Sequence, residues 1–74
     1  MALSRADINS VKARMADNVK EIDARMPLII KGNLSLMAVV NQLVEDNEYM
    51  AWILNNAKMP REKLTLENFR RARG

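Results

Sequence analysis

The chain has no cysteine and no histidine among its 74 residues, and only two glycines, two prolines and three aromatic side chains. Each shortage removes a class of chemistry. Without Cys there is no disulfide staple and no thiol nucleophile. Without Cys or His a zinc site lacks its usual ligands, and no imidazole is present to act as a base near neutral pH. The glycines are Gly32 and the terminal Gly74, so no glycine-rich phosphate loop can form. The longest uncharged run, Gly32 to Val44, holds thirteen residues with several polar ones among them, and a membrane span needs about twenty mainly apolar residues. Residues 1–25 carry charges throughout and show no secretory pattern.

These absences point to a non-enzymatic protein with no cofactor, no metal and no small-molecule substrate. The lack of cysteine suits a cytoplasmic setting. Ser4, Ser10 and Ser35 have plainer roles as helix caps or surface residues than as nucleophiles. The acidic run Glu45-Asp46-Asn47-Glu48 lacks the EF-hand ligand pattern.

What is present is apolar and helical. About half the residues are hydrophobic, ample for one domain over residues 1–74. A core in a chain this short seldom yields more than about 3–5 kcal/mol of net stability. With no staple available, tight helix packing or association with another chain has to supply the rest.

Residues 4–25 read as the first helix. Ser4 followed by Asp7 forms a capping-box pattern, and Leu3 and Ile8 hold the hydrophobic-staple positions around it. The apolar residues Ile8, Val11, Met15, Val19, Ile22 and Met26 fall on one stripe averaging 3.6 residues per turn. That period favours a nearly straight helix. Pro27 is expected to end it, because a proline disfavours helical geometry in the residue before it. A turn around Gly32 follows, with Asn33 or Ser35 as the next cap.

The stretch from Asn33 to Ala57 holds most of the strongly apolar residues and the only Trp and Tyr. It reads as two helices, 33–46 and 47–58, continuous unless the chain bends at the acidic run. A bend is the favoured reading, since carboxylates suit the N-terminus of a following helix. Thr65 is the expected cap of a short last helix, 65–73, which is marginal alone and needs Leu64, Leu66 and Phe69 to dock. The fold class is therefore all-α: a hairpin or small bundle of three helices plus a short C-terminal one.

Two functional signals remain. The first is the apolar excess of the central stretch, because the first helix offers a single stripe to cover it. Leu36, Val40, Leu43, Tyr49, Met50, Trp52 and Ile53 are the candidate partner-binding residues, with the aromatic and methionine side chains of the kind enriched in interface cores. For any one of them taken alone, the domain's own core is the favoured reading. The second is charge. The net charge is +3, and residues 58–74 hold six positive charges against two negative ones. Residues 60–74 form a basic C-terminal arm, and Lys58, Arg61, Lys63, Arg70, Arg71 and Arg73 are candidates to lie along nucleic-acid phosphates. The expectation is a helical protein–protein interaction module that self-associates or binds and modulates a larger protein, as accessory and inhibitory factors do. The alternative is a small nucleic-acid-binding protein that uses the arm.

Overall fold

A computed structural model of the chain describes residues 2–74. It is all-helical: α1 spans Arg5–Ile30, α2 spans Met37–Asn55 and α3 spans Leu66–Ala72, with single 3₁₀ turns at Leu34–Leu36 and Arg61–Lys63. α1 and α2 form an antiparallel hairpin, and α3 lies against the C-terminal half of α2.

The start of α1 is as expected. The Asp7 backbone N–H donates to the Ser4 hydroxyl, and the Ser4 N–H donates to the Asp7 carboxylate. Its end is not. The helix continues through Pro27 to Ile30. Pro27 and Asp23 both lie on the exposed face, where water can satisfy the Asp23 carbonyl that has lost its intrahelical donor. A long helix also tends to curve convex toward solvent on that side. The extra turn carries Ile29 into the buried set, which offsets part of the cost of about 3 kcal/mol for an interior proline.

The true stop is Gly32, whose φ of +111° is closed to ordinary L residues. The Gly32 N–H donates to Ile29 O and the Asn33 N–H to Leu28 O, the paired bonds of a Schellman motif. Asn33 and Ser35 do not cap the next helix with their side chains; the Ser35 hydroxyl donates to Asn33 Oδ1 instead, at 2.6 Å.

α2 is one helix of 19 residues, and the acidic run does not bend it. Those carboxylates sit in mid-helix and serve another purpose: Arg70 and Arg73 of the C-terminal segment reach Glu45 and Glu48 at 3.0 and 3.2 Å. The two halves of α2 differ in coverage, not in direction. Up to Asn47 the shielded apolar positions form the narrow series Leu36, Val40, Leu43. Beyond it, every residue from Tyr49 to Leu54 is at least half-buried, because α1 covers one side and α3 the other.

α3 is held by the three aromatic rings. Tyr49, Trp52 and Phe69 lie with centroids 5.5–6.3 Å apart, within the range of favourable aromatic pairs. The Tyr49 hydroxyl donates to Leu64 O at 2.7 Å. Thr65 caps the helix by accepting from the Asn68 N–H.

The result is a thin slab. The Cα atoms extend 46 × 27 × 13 Å, and the radius of gyration is 14.4 Å, against about 11 Å for a compact domain of this length. Among the described residues only Ile29, Val40, Met50, Leu64 and Phe69 are buried, and no side chain is completely enclosed. No helix is long and apolar enough to cross a membrane among the described residues.

Candidate interaction face of the helical hairpin

The half-buried and buried residues of α1 after its first turn are Ile8, Val11, Met15, Asn18, Ile22, Arg25 and Ile29. Their spacing alternates three and four, a heptad seam. Hydropathy alone picks Val19 and Met26 for this stripe; the structure instead turns Asn18 inward and leaves Arg25 half-buried, its guanidinium donating to the Glu21 carbonyl on its own helix. The reason is on α2. Asn18 Nδ2 donates to Asn47 Oδ1 at 2.9 Å, and Asn47 Nδ2 donates to the Met15 carbonyl at 3.3 Å. On α2 the matching seam is Leu36, Val40, Leu43, Asn47, Met50 and Leu54.

This register fixes what lies outside. Calling the seam positions a and d, the flanking positions are e on one side and g on the other. The g side is shared by both helices: Arg14 of α1 and Asp46 and Ile53 of α2 line one open groove of about 390 Å³ together with Leu66 of α3. The arm from Pro60 onward runs along that side, with Arg61 paired to Asp7. The Asp7 carboxyl is held below its ordinary pKa first by the Ser4 N–H, then by the Ser4 hydroxyl, with Arg61 adding to both.

The opposite flank is uncovered. It carries Val19 and Met26 of α1 and Met37 and Val44 of α2 at e positions, all exposed. Ile30 and Leu34 adjoin them at the loop end and are 79% and 68% exposed. Six of the nine large apolar residues that are exposed among the described residues thus share one side of the hairpin.

The residues singled out in the sequence fall elsewhere. Val40 and Met50 are buried, and Leu36, Leu43, Tyr49, Trp52 and Ile53 are half-buried. The structure brings them together as the molecule's own packing: Leu36, Val40, Leu43 and Met50 along the α1–α2 seam with Ile53 at its edge, and Tyr49 and Trp52 beneath α3. The sequence hides the exposed flank because Val19 and Met26 fall on the apolar stripe of the first helix and Met37 and Val44 adjoin the apolar positions Leu36, Val40 and Leu43 of the second. The sequence signal that could have found them is Asn18, since a polar residue in phase with Asn47 moves the inner positions from Val19 and Met26 to Asn18 and Arg25.

The arm cations are mostly paired. Arg61 meets Asp7, Arg70 meets Glu45, Arg71 meets Glu67 at 2.7 Å, and Arg73 meets Glu48 while lying over the Phe69 ring, 5.3 Å from its centroid. Lys58 and Lys63 are exposed and meet no carboxylate among the described residues. Comparison with family models, with curated proteins and with solved structures finds no match to this chain.

Proposed function

We propose that this protein is a non-enzymatic helical interaction module, which works by presenting an apolar face to another protein surface. It belongs with small accessory or inhibitory factors that assemble with themselves or modulate a larger protein. The observation that carries the reading is the uncovered flank Val19, Met26, Ile30, Leu34, Met37 and Val44 on a slab with five buried side chains among the described residues. Contiguous apolar surface of this kind marks interaction sites on folded proteins. The Leu36–Ile53 residues contribute by holding that face rigid.

The nucleic-acid alternative has weaker support. Four of its six cations already face carboxylates, so phosphate binding would have to displace those partners.

The test is photocrosslinking in cells from a photoreactive side chain placed at Met37, with Lys20 on the outer face of α1 as the control position. Discrete protein adducts at position 37 and none at position 20 are expected. A folded protein that yields no adduct from position 37 refutes the reading.

A further inference from the structure

α3 is tied to the hairpin by two kinds of contact. The first is apolar. Of its seven residues only Phe69 is buried, and Leu64 just before it is buried too. The Leu64 carbonyl also accepts from the Tyr49 hydroxyl at 2.7 Å. A helix this short does not persist alone in water, so α3 is helical only while docked. The second kind is ionic. Arg70 meets Glu45 at 3.0 Å, Arg73 meets Glu48 at 3.2 Å, and Arg61 at the start of the arm meets Asp7.

Charge is sorted between the two segments. In each of these three pairs the arginine comes from the arm and the carboxylate from the hairpin. Residues 58–74 hold six positive charges against two negative ones, and residues 1–57 hold six against seven. The spacing matches as well. Arg70 and Arg73 are three positions apart, as are Glu45 and Glu48, and they pair in the same order. Two glutamates three apart on a helix repel each other, and the docked arginines relieve that repulsion.

The ionic ties are the adjustable ones. An exposed ion pair shifts an equilibrium by only about 1.4- to 5-fold, and salt weakens it. Apolar packing of Phe69 is not screened in this way. The hairpin itself does not rely on these ties, because its seam is closed by its own apolar residues and by the Asn18–Asn47 bond. Lifting α3 would uncover Tyr49 and Trp52, whose ring centroids lie 5.5 and 5.9 Å from that of Phe69.

We propose that α3 is an ion-pair strap. Arg70 on Glu45 and Arg73 on Glu48 keep it closed over Tyr49 and Trp52, and rising ionic strength opens it while the α1–α2 hairpin stays folded. The strap shares no residue with the uncovered flank and goes beyond the interaction reading: it controls access to an aromatic pair that α3 otherwise shields.

The experiment is amide hydrogen exchange, followed by NMR on the full chain, at about 0.01 M and about 1 M sodium chloride, where the screening length is about 30 and about 3 Å. The Phe69 and Arg73 amides, which donate to Thr65 O and Phe69 O, report on the strap. The Asn47 and Met50 amides report on the hairpin. High salt is expected to lower strap protection about 10-fold, as loss of two exposed pairs should, with hairpin protection unchanged. Glu45→Gln with Glu48→Gln should give the same loss at low salt and remove most of the salt response. Glu21→Gln, whose pair with Arg25 lies within α1, should leave the strap as it is. Glu45→Gln and Arg70→Gln should each lower strap protection, and together by no more than the larger single effect. Equal strap protection at both salt concentrations overturns the proposal. So does wild-type protection in the Glu45/Glu48 pair, or full additivity of Glu45→Gln and Arg70→Gln. Loss of hairpin protection in step with the strap also overturns it, because the arm and hairpin would then open as one unit.

Discussion

Asn18 and Asn47, twenty-nine positions apart in the chain, meet through a 2.9 Å hydrogen bond in the middle of the α1–α2 seam. Asn47 also donates to the Met15 carbonyl, so the amide pair is tied to the α1 backbone as well as to itself. A polar pair at seam positions commonly fixes register at a cost in stability. Replacing Asn47 by Ala leaves the Asn18 amide part-buried without its partner and is expected to destabilise by about 1–3 kcal/mol. Replacing both by Leu removes the penalty and should raise the unfolding midpoint. Fewer and broader NMR signals in the Leu pair, from helices that slide, would show that the asparagines set register. A sharp single set of signals would show that they do not.

Pro27 stands inside α1, where it offers no N–H to the Asp23 carbonyl. Pro27→Ala restores that bond, and the expected gain is about 2–3 kcal/mol, reduced somewhat by the greater freedom of the unfolded chain. Chemical denaturation with an unchanged slope and a higher midpoint is the outcome to look for. An unchanged midpoint would mean that the last turn of α1 contributes nothing to folding.

Phe69 is 5% exposed and is the side chain through which α3 reaches Tyr49 and Trp52. Truncation to Ala removes most of that contact, at about 3 kcal/mol or more. Since a core in a chain this short seldom yields more than about 3–5 kcal/mol, α3 should undock well before α1 and α2 separate. A red shift of Trp52 emission at temperatures where helical circular dichroism persists is the expected signature. Simultaneous loss of both signals would show that the hairpin cannot stand without α3.

The response to pH should be two-sided. Burial raises the Tyr49 phenol above its ordinary pKa of 10.0, and its hydroxyl donates to Leu64 O only while protonated. That contribution is complete below pH 10 and is lost as pH rises through the folded-state value. Asp7 is lowered from 3.8, first by the Ser4 N–H. Its contribution is present above that pH and fades as pH falls through the lower folded-state value. Tyr49→Phe should flatten the alkaline limb of a thermal-midpoint profile, and Asp7→Asn the acid limb.

Much of the fold is legible in the sequence, because local chemistry dictates it. The Ser4–Asp7 box, the Thr65 cap and the Gly32 turn are decided within a few residues, and all are found. What was misread depends on the partner helix. Pro27 is a strong local stop, yet the helix passes it, helped by the burial of Ile29 against the rest of the hairpin and by the exposure of the Asp23 carbonyl to water. The acidic run resembles a helix start until Arg70 and Arg73 arrive from across the molecule. The exposed apolar flank is the hardest feature to see: Val19 outranks Asn18 by hydropathy, and only the presence of Asn47 opposite reverses the choice. An error of one residue in that phase exchanges inside for flank.

The thinness of the slab has a dynamic consequence. At 13 Å across its shortest dimension, the isolated chain leaves every backbone amide within one side-chain layer of water. Its local openings should therefore be shallow and frequent, and only a short stretch of α2 near Met50, covered by α1 and α3 together, should hold its amide protons for long. Slow hydrogen exchange spreading along Val19–Ile30 and Leu34–Val44 would then be a direct record of occupancy, read from the backbone of the protein itself.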